Sequence, residues 1–415
     1  MLIEFAVSNF RSFREKQTFS MVAAPRLKKG DNVFKPEVKG EKLPDLLKVA
    51  AIYGPNASGK SNLIKAFDIV REIIARQPSA QHKPLPVYPF RFDPQLIDQP
   101  SRIELHFIYA EQRYHFELAL TQERIVEERL VAFPKGKETL LYERSHLSSG
   151  DKYTFGQQLE GGKDLHELWR KSTSPQVLFI VQAVANSSED LKQLREPLAW
   201  LRAGLMVFFG RISMLALADI SQEQAETDVS FAKELSSFLQ EVDVPITNIR
   251  FDQIEPNSST LLQSIRPKSN STAVLTHRTE LGEAEFDIQE ESDGTKNLIG
   301  FWLPWNLHAR TRLVTQSTAL VMDELDSSLH PEIVASLVAK HLKSDSPAQL
   351  IFTTHDTHLM DTKLLRRDQF WLTERDTNGA TQLRSIHDFE GRESEDLEKR
   401  YYEGRYRGLP FIRKA

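Results

Sequence analysis

The residues able to do chemistry begin at Gly54. Gly54, Gly59, Lys60 and Ser61 fill every fixed position of the pattern G-x-x-x-x-G-K-[ST], with Pro55, Asn56, Ala57 and Ser58 between them and Asn62 directly after. These types suit the holding of a polyphosphate. Glycines permit backbone angles that a Cβ forbids, so successive N–H groups can turn inward around an anion. Lys60 offers an ammonium to the outer phosphates, and the Ser61 hydroxyl is a ligand for Mg²⁺. A helix starting near Lys60 aims its positive end at the same anion. Lys60 is read as standing on a solvent-facing loop, so removing its charge should leave the fold intact. The apolar run Val49–Tyr53 precedes the loop and an amphipathic stretch follows it, an order that an ordinary glycine turn does not need.

A second group stands far downstream. The apolar run Thr318–Met322 ends in Asp323 and Glu324, and the carboxyl end of a buried strand is where an open α/β sheet places ligand chemistry. Asp323 is expected to hold Mg²⁺ through water, and Glu324 to orient and deprotonate an attacking water. A second apolar run, Gln349–Phe352, leads into Thr353-Thr354-His355-Asp356. Placed beside the carboxylate strand, His355 can reach a γ-phosphate. Taken alone, the carboxylate pair leaves a strand cap as the alternative, which Lys60 upstream sets aside; His355 alone reads as a structural histidine, which its placement after this strand reverses.

The elements that position these groups follow from periodicity. Ile3, Phe5 and Val7 alternate, Asn9-Phe10-Arg11-Ser12-Phe13 makes a turn, and Thr18–Val22 returns as the second strand of a hairpin. Residues 28–48 read as a lysine-rich connector, and the stretch with prolines at 78, 84, 86, 89 and 94 as irregular. Alternation over 103–109 and 114–120, followed by short strands at 125–133, 138–144 and 152–155, predicts an antiparallel meander. Leu191, Leu194, Leu198, Leu201 and Leu205 then take helical spacing, so an inserted helical module is expected over 164–247. Short strands return over 248–290. The expected organisation is 1–163 and 248–375 as two parts of one nucleotide-binding α/β core, a parallel-sheet lobe with an antiparallel β lobe, and 376–415 as a tail.

Composition sets limits. At 415 residues the chain can bury a large core, and its formal net charge of −5 argues against an obligate nucleic-acid coat while leaving room for a local basic patch. With no cysteine there are no disulfides, zinc thiolates or cysteine nucleophile, which fits a cytoplasmic protein. The start MLIEFAVSNFRSF carries Glu4 and reads as no signal peptide. The most apolar later stretch, 198–217, contains Arg202 and Arg211. Each would cost about 2.5–3.5 kcal/mol at a bilayer centre, so a buried helix is expected and no membrane partner.

Together GPNASGKSN at 54–62, ALVMDELDSSLHP at 319–331 and IFTTHD at 351–356 resemble the ABC-type ATPases of the SMC, RecF and OLD group. The resemblance implies ATP and Mg²⁺ as ligands, a D-loop role for Asp326 and a switch role for His355. It also calls for a Leu-Ser-Gly-Gly signature. Glu291-Ser292-Asp293-Gly294-Thr295-Lys296 keeps the serine and the second glycine but has Asp293 for the first. Ser292 and Gly294 open a helix whose N–H groups need an anion; in the resembling group that anion is the γ-phosphate of a facing protomer, an ATP sandwich that makes a homo-oligomer. The start NFRSF, the signature ESDGT and the aromatic, basic segment from Tyr401 on are most similar to the AAA-type ATPases of prokaryotic anti-phage operons, the Rlo and PARIS relatives. This implies a sensor or regulator of a separate effector, a Toprim-type nuclease being the suspected one, since 376–415 is too short for the Toprim domain that OLD proteins append. A RecF-like DNA-repair clamp is the alternative, for which Arg405, Arg407, Arg413 and Lys414 speak. An ATPase subunit of a transporter, a small-molecule kinase and a GTPase fit less well, the last for want of an Asn-Lys-x-Asp segment.

Overall fold

The computed structural model describes residues 1–77, 83–242, 244–253, 271–310, 318–327, 329–393 and 395–406. Pro78, Arg407, Arg413 and Lys414 lie outside the described residues. In chain order the elements are β1 (Leu2–Ser8), β2 (Gln17–Ser20), β3 (Val33–Phe34), β4 (Leu46–Leu47), β5 (Val49–Tyr53), α1 (Lys60–Ile74), β6 (Ser101–Tyr109), β7 (Gln112–Leu120), β8 (Ile125–Ala132), β9 (Thr139–Leu147), β10 (Gly150–Phe155), α2 (Gly162–Ser172), α3 (Phe179–Ala185), α4 (Arg195–Ala199), β11 (Leu205–Phe209), α5 (Gly210–Thr227), α6 (Val229–Glu241), β12 (Ile246–Gln253), β13 (Ser271–Thr279), β14 (Gly282–Asp287), α7 (Asp293–Arg310), β15 (Ala319–Asp323), α8 (Pro331–Lys343), β16 (Gln349–Thr353), β17 (Phe370–Arg375), β18 (Thr381–Ser385) and α9 (Leu397–Tyr402). They divide between two compact units.

The first unit comprises 1–207, 311–324 and 335–415. It holds a seven-stranded sheet in the order β10-β9-β8-β7-β6-β1-β2 and a six-stranded one in the order β11-β15-β16-β5-β17-β18. The first is the expected meander with the opening hairpin added, antiparallel at every pair. In the second, β15, β16, β5 and β17 run parallel. The two central ones, VAAIY in β5 and QLIFT in β16, are buried at every position. That continuous burial is what a parallel strand covered on both faces requires. Helix α1 buries Leu63, Ile64, Phe67, Val70 and Ile74. Phe67 stacks on Phe5 of β1 with ring centroids 3.8 Å apart. The buried Gln349 side chain accepts from Leu2 N at 2.6 Å and donates to Leu2 O at 2.9 Å, tying the two sheets backbone to side chain.

Three expectations need correction. The stretch 198–217 is not one buried helix: α4 ends at Ala199, a π-turn spans Trp200–Gly204, and LMVFF becomes the edge strand β11 of the six-stranded sheet. A short apolar run reads equally as strand or helix, and the aromatic residues favoured the strand. The module expected over 164–247 is accordingly divided, with 164–207 in the first unit and the remainder in the second. The segment from 376 is no simple tail either, because β18 pairs antiparallel with β17 and extends the sheet.

The second unit comprises 208–310 and 325–334. It contains α5, α6, α7 and the antiparallel sheet β12-β13-β14. Asp228 caps α6 by accepting from Ser230 N and Phe231 N. Phe231, Leu235, Phe238 and Leu239 form its buried stripe, and the Phe238 ring lies 4.9 Å from that of Trp302 on α7. No helix among the described residues is long and apolar enough to cross a membrane.

One buried histidine gives the first unit a pH-dependent stability. His341 in α8 lies with Nε2 3.3 Å from Lys48 O, and burial lowers its pKa from 6.5 to about 4. In that interval the unfolded chain binds the proton and the folded one does not, so stability is full above about 6.5 and falls as pH drops towards 4. The loss should reach about 3 kcal/mol at most. Melting wild type and His341→Gln between pH 7.5 and 4.5 should show a shallower decline in the variant; equal slopes would acquit His341.

Candidate active site

The loop from Gly54 to Gly59 joins β5 to α1 at the carboxyl edge of the parallel strands. Gly54, Ala57 and Gly59 have φ of 149°, 61° and 113°, and alternation of left-handed residues turns N–H groups to one side. Two threonines hold the loop from below. A Cβ on Gly54 would stand 2.4 Å from Thr373 O and one on Gly59 2.1 Å from Thr381 Oγ1, so only glycine fits at either place. Ser58 Oγ lies 2.5 Å from Thr373 Oγ1, and Thr381 Oγ1 donates to Ser58 O at 2.8 Å. Ser12 joins this network: Asn62 Nδ2 donates to its hydroxyl at 2.8 Å, and its carbonyl accepts from Thr381 N at 2.7 Å. Lys60 is not solvent-facing as its loop position suggests. It is 6% exposed, and its ammonium donates to Gly54 O at 2.7 Å and Pro55 O at 3.3 Å.

The carboxylates end β15, which lies one strand away from β5 across β16. Thr353, the last residue of β16, donates from Oγ1 to Asp323 Oδ1 at 2.6 Å and accepts from Glu324 N at 2.7 Å. Glu324 is exposed and has a φ of 53°. His355 is exposed and shares with Gly54, Pro55, Asn56 and Ser58 a cleft of about 1000 Å³. Tyr401 and Tyr402 of α9 line the same cleft. That helix is fastened where Thr357 Oγ1 donates to Glu398 Oε1 at 2.7 Å and lies 3.0 Å from the Tyr402 hydroxyl.

The first unit thus brings together the loop 54–62, Asp323, Glu324 and His355. Ser292, Gly294 and Asp326 belong to the second unit. There the Ser292 hydroxyl accepts from Thr295 N at 3.1 Å. The helix α7 therefore has one of its first N–H groups capped by its own serine. Asp326 opens a turn in which its carbonyl accepts from Leu329 N at 3.1 Å. Sequence reasoning missed the roles of Thr353, Thr373 and Thr381; Thr353 stands in the quoted run IFTTHD but was given no part, and the other two carry no motif of their own. Ser12 had a signal, standing inside the quoted NFRSF turn.

The residues present fit a nucleotide and a hard cation. The loop is concave, with glycines where a Cβ would collide. The hydroxyl of Ser61 and the carboxylate of Asp323 are oxygen donors of the kind Mg²⁺ takes. Among the described residues no group of three or more His, Cys, Asp or Glu could hold a metal by itself.

A phosphate-binding loop between a parallel strand and the helix after it, on a mixed sheet with a carboxylate pair one strand away, defines an α/β P-loop ATPase domain. The chain belongs to the family described as "AAA domain, putative AbiEii toxin, Type IV TA system", which matches residues 49–361. Two solved structures are similar to it. One is the SMC head domain from Thermotoga maritima, 17% identical over 92% of this chain and 98% of that chain, with a TM-score of 0.41. The other is an SMC head bound to the C-winged helix domain of ScpA, 14% identical over 92% of this chain and 97% of that chain, with a TM-score of 0.42. No curated protein matches.

Proposed function

We propose that this chain binds and hydrolyses ATP with Mg²⁺ and, as the nucleotide-driven regulator of a prokaryotic anti-phage defence system, controls a separate effector, a Toprim-type nuclease being the suspected one. The observation that carries the ATPase reading is the placing of the loop 54–61 and the pair Asp323-Glu324 at the ends of β5 and β15, in one sheet with β16 between them. Backbone N–H groups from Gly54 to Ser61, with Lys60, cradle the phosphates, and Asn62 extends the contact. Ser61 and Asp323 hold the cation, which supplies charge neutralisation at the β- and γ-phosphates. Glu324 takes the proton of the attacking water, and His355 contacts the γ-phosphate. Ser292, Gly294 and Asp326 act in an ATP sandwich between two copies of the chain. The defence role is supported by the toxin–antitoxin description of the family and by the resemblance of NFRSF and ESDGT.

Phosphate release by the purified chain tests the first part, with Mg²⁺ and with EDTA. Phage challenge of cells carrying the chain with and without its neighbouring gene tests the second. Steady ATP turnover and protection that needs both genes are expected. Turnover driven by duplex DNA, with salt-sensitive binding and no protection, would favour the DNA-repair alternative.

A further inference from the structure

Thr353 is fully buried at the end of β16, between the strand that delivers Asp323 and the strand that feeds the phosphate loop. Its single hydroxyl serves two neighbours. The Glu324 N–H can only donate, so it takes a lone pair of Thr353 Oγ1 at 2.7 Å. The hydroxyl proton is then left for Asp323 Oδ1 at 2.6 Å. The two bonds fix consecutive residues by different means, one through a side chain and the other through the backbone. Glu324 has a φ of 53°, a region that a side-chain-bearing residue keeps only where its surroundings over-determine it. The bond to Thr353 is such a constraint.

We propose that Thr353 is a positioning residue for the Mg²⁺ and water-activating carboxylates. It engages Oδ1 of Asp323, leaving Oδ2 for the cation's shell, and it pins the left-handed turn from which Glu324 projects. The inference rests on the reading of Asp323 and Glu324 given above, and it concerns a residue to which that reading gave no role, although it stands in the quoted run IFTTHD. Partners that orient a metal-binding carboxylate act on metal affinity about 10–100-fold, whereas a merely structural threonine would act on folding alone.

The test uses the full chain and a fluorescent ATP analogue, titrated over a series of Mg²⁺ concentrations and in EDTA, with thermal melting alongside. Thr353→Val keeps the volume and removes the hydroxyl; Thr353→Ser keeps the hydroxyl. The Mg²⁺ concentration for half-maximal binding should rise about 10-fold in Thr353→Val. Affinity in EDTA should stay at the wild-type level, and Thr353→Ser should restore the Mg²⁺ response. If the valine variant does not fold, Thr353→Cys, with a weaker donor of similar size, should give an intermediate shift. A wild-type Mg²⁺ response in Thr353→Val, or equal losses with and without Mg²⁺, would overturn the positioning role while leaving the site intact. Wild-type binding indifferent to Mg²⁺ would instead bring down the reading of Asp323, and this proposal with it.

Discussion

Lys60→Ala is expected to lower ATP affinity by about 100-fold or more and to abolish turnover. Two charge-assisted contacts to the outer phosphates would be lost, each contributing about 1.5–3 kcal/mol. The structure adds a second effect. Lys60 is buried and donates to Gly54 O and Pro55 O, so the variant also loses bonds that tether the loop to its own helix. A fall in stability of about 1–2 kcal/mol should accompany the loss of binding. Calorimetric titration with nucleotide and a thermal melt separate the two. Wild-type turnover in the purified variant would refute the assignment of the loop.

Glu324→Gln is expected to cut turnover by about 10²–10⁴-fold by removing the base while sparing nucleotide affinity, because Asp323 and the loop are untouched. With ATP this variant should accumulate as a dimer or larger assembly. Adding Ser292→Arg should revert it, by setting bulk against the phosphate of the facing copy. Ser292 also caps α7 through Thr295 N, so part of that effect could come from a frayed helix, worth about 1 kcal/mol. Ser292→Ala in the same background is the control, since it removes the cap and adds no bulk. Sedimentation with and without ATP reads the result. An oligomeric state that ignores nucleotide in both variants would end the ATP-sandwich reading.

What the sequence disclosed followed from how local each signal is. The phosphate loop was legible because its two glycines, lysine and serine fall within eight consecutive positions, and β15 and β16 because both are largely apolar runs. The hairpin and meander showed through simple alternation. The stretch 198–217 misled because hydrophobicity without a clear period does not choose between helix and strand. The strand β18 reads TQLRS, too short and polar to stand out, yet it brings Thr381 under the loop. The part of Thr373 and Thr381 in the clamp was invisible for a different reason. Threonine is an ordinary strand residue, and its function here comes only from what the sheet order sets beside it.

That clamp bears on how the chain comes to work during its synthesis. Thr373 meets Tyr53, and Thr381 meets Ser58, across 320 and 323 residues of sequence. A growing polypeptide carries its phosphate loop out of the ribosome long before either threonine exists, and contacts so distant in sequence form late and slowly. The loop must wait, unbraced, for β17 and β18 to dock. Nascent and prematurely terminated chains are therefore expected to be blind to ATP, and ligand capture to mark the moment at which the six-stranded sheet is finished.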